Sequence, residues 1–269
     1  MGDYKYTSKE RARMPAGTEA ILNARSLTTA HLHLASLLQS GFRVLDVGCG
    51  TGSITAGIAQ AVAPEGHAIG IDINTSLIEE ARRLHTEVPN LSFTISDIYS
   101  IPFLNAFDIV SAARILQWLS SPADALRMLV AATKPGGRVV VLDYNHEKIA
   151  WQPSPPDSVR TFYHAFLQWR AEVGMDNAIA DRLSAMFDKA GLVNIGTTIQ
   201  HETTQRGDAD FDGAIELWGK VIATRGRQMV ADGTLTEKQR TSAEAEFVQW
   251  ASETAVSQTL YLLAVEGTR

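Results

Sequence analysis

A glycine-rich turn after a short apolar run constrains the fold of this chain more than any other feature. The segment Val44–Gly52 reads VLDVGCGTG, so apolar residues give way to three closely spaced glycines. Glycine lets the backbone turn tightly and lets a ligand approach where a Cβ would collide. The segment is therefore predicted to join a buried strand to a helix and to border a ligand.

Apolar strands and helices alternate regularly around this turn. Strands are predicted at residues 42–47, 67–73, 91–95, 107–112 and 138–142, with helices at 53–62, from 76 and from 122. Ser76 and Glu79 have the spacing of a capping box, which predicts where the second of these helices begins. The alternation indicates an α/β fold with a doubly wound, mostly parallel seven-stranded sheet, Rossmann-like and covered on both faces.

The alternation breaks after Asp143. Residues 150–157 contain three prolines and are predicted to form a loop. An aromatic-rich helix that contains Phe162, Phe166 and Trp169 follows, then a helix at 179–190 and a strand at 193–201. Residues 208–256 look helical, and 259–265 form a closing strand. The two helical insertions are predicted to form a lid over an apolar pocket. Its predicted lining residues are Trp151, Phe162, Phe166, Trp169 and Trp218, although the i, i+4, i+7 spacing within this set is more often core packing.

Composition narrows the possible functions. The chain has 269 residues, 45% of them hydrophobic, and a net charge of −6. This acidic balance argues against broad nucleic-acid binding, which needs clustered Lys and Arg. The cluster Arg225, Arg227, Lys238 and Arg240 is predicted to be a solvated helix face. One cysteine rules out an intrachain disulfide, and no Cys/His spacing suggests a metal. The start lacks the apolar core of a signal peptide and no run suits a membrane span, so a cytoplasmic location is expected.

Two carboxylates separate the possible ligand classes. Asp72 ends the second strand, where it can accept hydrogen bonds from ribose hydroxyls. A dinucleotide dehydrogenase would have a third glycine where this chain has Ser53, so a nicotinamide-dependent oxidoreductase is the weaker alternative. Asp46, two residues before the first glycine, would repel a pyrophosphate and attract the ammonium group of a methionine moiety. The residues therefore favour a cationic amino-acid nucleoside.

Further motifs follow in order along the chain: Gly70-Ile71-Asp72-Ile73, Ser96-Asp97-Ile98, Phe107-Asp108-Ile109-Val110 and Lys134-Pro135-Gly136-Gly137-Arg138. With the glycine turn, they make the chain resemble class I S-adenosylmethionine-dependent methyltransferases. The resemblance is strongest to the small-molecule group that includes quinone-biosynthesis enzymes. It covers roughly residues 40–143.

The resemblance implies S-adenosyl-L-methionine as the cofactor, held by Asp46, Gly48, Cys49, Gly50, Gly52, Asp72, Ile73, Asp97, Ile98, Ala113 and Arg114. In that assignment the glycines shape the turn, and Asp46 lies near the methionine end. Asp72 holds the ribose hydroxyls. Asp97 accepts from the adenine amino group, and the backbone amide of Ile98 donates to the ring. Ala113 and Arg114 lie beside the methionine tail.

The acceptor is expected to be a small molecule. A methyltransferase acting on protein or RNA is the alternative. A base-modifying relative would carry an Asn/Asp-Pro-Pro-Tyr segment where this chain reads Ser111-Ala112-Ala113-Arg114. A binding module without turnover is a further alternative, against which the retained Asp46, Asp72 and Asp97 argue. If the acceptor must lose a proton, His146 is the hypothetical base, because imidazole titrates near neutral pH. Asp143 and Tyr144 are the other candidates.

The predicted organisation has four parts. Residues 1–40 form an N-terminal helical segment that covers the cofactor site with Tyr4, Tyr6 and Arg11, and 41–149 form the cofactor-binding core. Residues 150–178 form a helical lid insertion, and 179–269 complete the sheet, with a helical insertion at about 208–256. The sequence leaves the oligomeric state open, with a homodimer as one option.

Overall fold

A seven-stranded sheet forms the centre of the computed structural model, which describes residues 7–12 and 22–269. Its strands are β1 (Arg43–Val47), β2 (His67–Asp72), β3 (Leu91–Ile95), β4 (Phe107–Ala113), β5 (Thr133–Tyr144), β7 (Val193–Ile199) and β10 (Leu262–Thr268). Their order is β3-β2-β1-β4-β5-β10-β7, and β10 runs antiparallel to both of its neighbours. This confirms the predicted fold class. Tyr4, Tyr6 and residues 13–21 of the predicted N-terminal segment lie outside the described residues.

Helices cover the sheet and form the insertions. They are α1 (Ser8–Ala12), α2 (Leu27–Ala30), α3 (Leu32–Leu37), α4 (Ser53–Val62), α5 (Thr75–Leu84), α6 (Pro122–Ala132), α7 (Asp157–Ala171), α8 (Ile179–Lys189), α9 (Phe211–Ala231) and α10 (Glu237–Glu253). The bounds predicted for α4 are confirmed. The predicted capping box is wrong, because the side chain of Asn74 accepts the N–H of Ser76 at 3.0 Å and caps α5 instead.

A second, smaller sheet was not predicted. It contains β6 (Ala150–Gln152), β8 (Glu202–Gln205) and β9 (Ser257–Leu260), paired antiparallel in the order β6-β9-β8. The loop predicted at 150–157 is therefore wrong for its first three residues. The predicted closing strand is in fact two strands, which separate at Tyr261 and join different sheets. Strands this short carry too little alternation to reveal their pairing.

The two insertions pack against each other as one helical unit. Side chains from α7, α9 and α10 share a buried core that includes Phe162, Phe166, Trp169, Trp218 and Phe247. The solvated face predicted for the basic cluster is wrong for Arg225 and Arg240, which are 4% and 5% exposed. Arg240 forms ion pairs with carboxylates one turn before and one turn after it on α10. Its Nη2 lies 2.7 Å from Glu237 Oε1, and its Nη1 lies 2.5 Å from Glu244 Oε2.

Candidate active site

A cavity of about 750 Å³ opens at the carboxyl ends of β1, β2, β4 and β5. From β1 the chain runs outward to β2 and β3 and then returns to β4 on the other side of β1, so the strand order reverses at β1. Open α/β sheets bind ligands at such a switch point. The helix α9 from the second insertion and α1 from the N-terminal segment form other parts of the wall. The cavity therefore joins the parallel sheet to both added segments.

The glycine turn borders the cavity at the end of β1. Gly48 and Gly50 have φ values of 75° and 56°, in the left-handed region that favours glycine. A Cβ at Gly48 would lie 2.3 Å from Ile115 Cδ1, which excludes any larger residue. The N–H of Gly48 donates to Ile71 O at 2.7 Å and fixes the turn against β2.

Asp72 presents a fixed carboxylate to the same cavity. Its Oδ2 accepts the N–H of Gly50 at 3.0 Å, and its Oδ1 accepts the N–H of Asn74 at 2.9 Å. Burial raises the pKa of Asp72, while these two backbone hydrogen bonds act in the opposite direction. The two bonds leave further lone pairs on both oxygens, so the group can accept from a pair of hydroxyls.

Asp97 and Ile98 line the cavity after β3. The Asp97 Oδ1 accepts the N–H of Tyr99 at 3.1 Å, which orients the carboxylate at the start of a short 3₁₀ turn. Its Oδ2 lies 3.2 Å from Lys9 Nζ of α1. Both side chains are substantially exposed, so this ion pair contributes little stability. It nevertheless links the N-terminal segment to the rim of the cavity.

Three of the predicted cofactor residues lie behind the cavity wall. Asp46 is buried and accepts a hydrogen bond from Thr55 Oγ1 at 2.6 Å, and burial raises the pKa of its carboxyl to about 6. Cys49 packs against Gly70 of β2, where an added Cβ would lie 2.8 Å from the sulfur. Gly52 has φ 78° and leaves space for Phe93. These three residues therefore pack beneath the glycine turn and do not border the cavity.

Arg114 follows β4 and lies in the cavity wall with Ala113. It is 4% exposed, has φ 64°, and forms an ion pair with Glu202. Its Nε donates to Tyr144 Oη at 3.0 Å. The charge of Arg114 is therefore already matched within the protein.

Arg25 also lines the cavity and was missed by the sequence analysis. Its guanidinium has no hydrogen-bond partner among the described residues. Burial and the nearby Arg114 lower its pKa, while Tyr144 and Glu202 act in the opposite direction. The helical pattern of the N-terminal segment does not distinguish this arginine from a solvated one. The cavity wall thus contains a cation without a hydrogen-bonded anion in the described protein.

His146 lines the cavity from a short 3₁₀ turn that follows β5. Its ring stacks on Tyr144, with centroids 5.2 Å apart, and meets Phe166 and Trp218 edge-on. Its Nε2 lies 2.5 Å from Gln117 Oε1. Burial, reinforced by the Arg170 guanidinium, holds the pKa of His146 well below its usual value. The imidazole is therefore neutral near physiological pH, and the near-neutral titration expected from the sequence is wrong for this buried ring.

The aromatic residues predicted to line the acceptor pocket divide into two groups. Phe166 and Trp218 line the cavity. Phe162 and Trp169 belong to the helical core, and Trp151 packs edge-on to Trp218 at 5.8 Å from behind. The predicted pocket role is thus wrong for these three residues. Along α7, Phe166 faces the cavity, whereas Phe162 and Trp169 pack into the helical core. Trp118, Leu217 and Val221 complete this part of the wall.

Asp143, one of the alternative bases, is fully buried and does not line the cavity. Its oxygens accept the N–H groups of Gln117 at 3.1 Å and Tyr144 at 3.0 Å. Burial raises the pKa of Asp143 to about 7. This carboxyl therefore organises the backbone around the site and is sensitive to pH.

Replacing Asp143 with asparagine is expected to alter the pH dependence of stability. The folded-state pKa of about 7 lies above the unfolded value of about 3.9, so the folded state binds the proton more tightly. The stabilisation from this group is present below pH ~4 and is lost as pH rises through ~7. The difference in unfolding free energy between wild type and Asp143→Asn should therefore fall by about 2–4 kcal/mol over that range. Urea unfolding at a series of pH values measures it, with the exposed Glu65→Gln as the charge control. A pH-independent difference would contradict the prediction.

Comparison with known proteins identifies the family. Residues 38–191 match the methyltransferase-domain family. This stretch is more than half of the 269 residues, so the chain belongs to that family. The predicted class, a class I S-adenosylmethionine-dependent methyltransferase, is confirmed, and S-adenosyl-L-methionine is the cofactor of this class.

Individual relatives agree with this assignment. A ubiquinone/menaquinone biosynthesis C-methyltransferase of Ectopseudomonas mendocina is 38% identical over 112 residues, which are 40% of this chain and 44% of that protein. A demethylmenaquinone methyltransferase of Staphylococcus aureus is 27% identical over 176 residues, 59% of this chain and 70% of that protein. The first curated relatives are matched over at most 44% of their length.

Solved structures share the fold. A phosphoethanolamine N-methyltransferase 2 of Haemonchus contortus, solved with phosphomonomethylethanolamine and S-adenosylhomocysteine, has a TM-score of 0.57 at 18% identity. The match covers 98% of this chain and 58% of that one. Within residues 7–12 and 22–269, no helix combines the length and the apolar character needed to cross a membrane.

Proposed function

We propose that this chain binds S-adenosyl-L-methionine in the cavity and methylates a small, planar, largely apolar molecule. The observation that carries the proposal is the continuity of the cavity. One end is formed by the glycine turn, Asp72 and Asp97, and the other end by an aromatic wall that includes Tyr144 and Trp218. A cofactor and its acceptor could therefore meet without leaving the protein.

The cofactor end has suitable groups for each part of the nucleoside. The Asp72 carboxylate, fixed by two backbone N–H groups, would hold the ribose hydroxyls, with Ile73 beside it. Asp97 and the amide of Ile98 would hold adenine. Gly48 and Gly50 leave room for close approach, and Asp46, Cys49 and Gly52 would support the turn from behind.

The methionine end would lie between the glycine turn and the segment after β4. Ala113 and Arg114 border this region. Because Arg114 is already hydrogen-bonded to Glu202, and Arg25 has no hydrogen-bonded anion among the described residues, the guanidinium of Arg25 is the better partner for the methionine carboxylate. Leu22, in the same segment as Arg25, lies over Gly50, which places this segment against the turn.

The acceptor end favours a flat apolar molecule. Its aromatic walls present rings to stack on or to meet edge-on, a geometry that suits another aromatic or quinoid ring. Helix α9 encloses this end with Leu217, Trp218 and Val221. Enclosure by the insertion argues against a protein or RNA substrate, whose bulk would have to displace the helix. Relatives named for quinone biosynthesis support the same acceptor class.

The cofactor would supply a methyl group activated by a positively charged sulfur. The protein would align the acceptor, exclude water and accept the proton that the acceptor loses. Alignment alone can account for a large part of the rate, because it converts an encounter between two molecules into a step within one complex. His146, on the acceptor side, is the proposed base for acceptors that must lose a proton.

Replacing Asp72 with alanine is expected to weaken cofactor binding by about 10- to 100-fold. A hydrogen bond to a charged group contributes about 1.5–3 kcal/mol, and each 1.4 kcal/mol is about tenfold in affinity. Titration calorimetry with S-adenosylhomocysteine measures the change, and Glu65→Gln is the matched surface control. Tighter binding of a nicotinamide dinucleotide than of S-adenosylhomocysteine by the wild type would contradict the proposed cofactor.

The acceptor class needs its own test. The protein would be incubated with methyl-labelled cofactor and, separately, with a set of phenols and quinols, a peptide library and total RNA. We expect label in the small ring compounds. Label found in peptide or RNA, with none in the ring compounds, would overturn the small-molecule part of the proposal while leaving the methyltransferase assignment intact.

A further inference from the structure

Two buried polar side chains at the acceptor end, Gln117 in the cavity wall and Arg170 behind it, have no role in the function described so far. Gln117 is 2% exposed and Arg170 is fully buried. Gln117 follows β4, and Arg170 is near the end of α7. A buried guanidinium and a buried amide are costly unless they are hydrogen-bonded, so their arrangement has to be accounted for.

Hydrogen bonds fix the orientation of the Gln117 amide. Its Nε2 donates to Arg114 O at 3.3 Å, and its Oε1 accepts from Arg170 Nη2 at 3.2 Å. Turning the amide over would place its N–H group against the Arg170 N–H group and its oxygen against the Arg114 carbonyl. Either contact is repulsive, so Oε1 faces Arg170.

Other bonds hold Arg170 in turn. Its Nη2 also donates to Gln117 O at 2.9 Å, and its Nε donates to Asn177 Oδ1 at 2.8 Å. The guanidinium carbon lies 4.3 Å from the centre of the Trp118 ring. Arg170 is therefore held on several sides and cannot swing away from the amide without losing these contacts.

The fixed amide determines which nitrogen of His146 carries the proton. Gln117 Oε1 can only accept, and it lies 2.5 Å from His146 Nε2, so Nε2 must be the donor. In a neutral imidazole the lone pair then lies on Nδ1. No described residue forms a hydrogen bond with Nδ1, and the ring borders the cavity.

The backbone of His146 is held as firmly as its ring. Its N–H donates to Asn177 O at 2.7 Å, and its carbonyl accepts from Tyr163 Oη at 2.5 Å. Asn177 thus contacts both Arg170 and the main chain of His146. With its backbone and its Nε2 both held, the His146 ring keeps Nε2 toward Gln117 and leaves Nδ1 without a hydrogen bond to any described residue.

We propose that Gln117, held by Arg170, positions His146 as a base that acts through Nδ1, so that the acceptor is one that gives up an acidic O–H or C–H proton. This inference rests on the proposed function and narrows its acceptor class. The acceptor's proton moves to Nδ1. The electron pair left on oxygen or carbon forms the bond to the methyl carbon, as the carbon–sulfur bond breaks with its pair on sulfur. The imidazolium later returns its proton to water.

Nitrogen NMR of the uniformly labelled wild type tests the tautomer directly. His146 is one of seven histidines, and the spectrum of His146→Asn identifies its signals. We expect a protonated Nε2 and an unprotonated Nδ1 at neutral pH. A proton on Nδ1 in the wild type would overturn the proposal whatever any variant shows.

Two substitutions at Gln117 test its positioning role. Gln117→Leu removes the acceptor, so we expect a mixture of tautomers and a fall in kcat of about 10- to 100-fold. Gln117→Glu restores an acceptor and should restore the Nε2-protonated signature. Gln168→Leu, exposed on α7, is the control. A Gln117→Leu protein that keeps both the wild-type tautomer and the wild-type kcat would contradict the positioning role.

The acceptor class is tested on the wild type with matched pairs of ring compounds. We expect methylation of a phenol or an enolisable ring ketone and none of its O-methyl ether. Equal methylation of a tertiary amine, which has no proton to lose, would overturn the inference. Failure of S-adenosylhomocysteine to bind would instead count against the proposed function, while the tautomer measurement would remain valid.

Discussion

Alanine at position 146 is expected to lower kcat by about 10²–10⁴-fold and to leave the affinity for S-adenosylhomocysteine within about twofold. General-base catalysis contributes a factor of this size. His146 lies among the acceptor-side rings of Tyr144, Phe166 and Trp218, so its loss should not disturb the groups assigned to the nucleoside. Single-turnover kinetics with a phenolic acceptor measures the first quantity, and calorimetry measures the second.

A second histidine provides the control. His164 lies exposed on α7, within the same insertion, and His164→Ala should retain full activity. Thermal unfolding of both variants separates a loss of chemistry from a loss of structure. If His146→Ala turned over a phenol at the wild-type rate while remaining folded, the base assignment would be wrong and the acceptor would have to arrive already ionised.

Much of the cofactor end could be predicted from sequence because its determinants are local. The glycine turn and the carboxylate that ends β2 are each marked by a strand boundary, and the parallel sheet brings those boundaries to one edge. The position of a residue in the turn still does not tell whether it lines the cavity or lies behind the cavity wall. Asp46 and Gly48 are two residues apart, yet only Gly48 borders the cavity, because β1 ends at Val47 and the chain turns at Gly48, where φ is 75°.

The acceptor end was less predictable because its contacts join distant parts of the chain. Arg170 and Gln117 are separated by 53 positions, so no local pattern predicts their contact. Arg25 is in the predicted N-terminal helical segment, and only the cavity wall, which forms from distant parts of the chain, shows that it faces a ligand site. The break at Tyr261 likewise depends on pairing with β6 and β8, which a short run of residues does not reveal.

The N-terminal helix α1 lies outside the parallel sheet but contributes residues to the cavity wall. Ser8, Lys9 and Ala12 of α1 line the cavity, whereas Arg11 points away from it into the insertion. The predicted position of Arg11 over the cofactor is therefore wrong. Its carbonyl accepts from Arg225 Nη1 at 2.5 Å, so α1 is bound to α9 through the main chain as well.

Replacing Arg11 with methionine is expected to destabilise the protein by about 3–5 kcal/mol. The guanidinium is fully buried, lies 2.8 Å from Asp232 Oδ2, whose side chain is 1% exposed, and stacks on the Trp169 ring at 4.7 Å. Removing one partner of a buried ion pair leaves the other charge uncompensated, which costs this much. Denaturant unfolding measures the loss, and S-adenosylhomocysteine affinity should fall with it because α1 forms part of the cavity wall.

Two further variants distinguish a buried charge from a simple contact. Lys9→Met breaks the exposed pair with Asp97 and should cost less than about 1 kcal/mol. Arg11→Met combined with Asp232→Leu removes both buried charges and should recover part of the lost stability, since an apolar pair can replace a buried ion pair. If Arg11→Met cost no more than Lys9→Met, the helix would be held by its backbone contacts alone. The bond from Arg225 to the Arg11 carbonyl would then hold α1 in the cavity wall, and Arg11→Met would leave the affinity for S-adenosylhomocysteine unchanged.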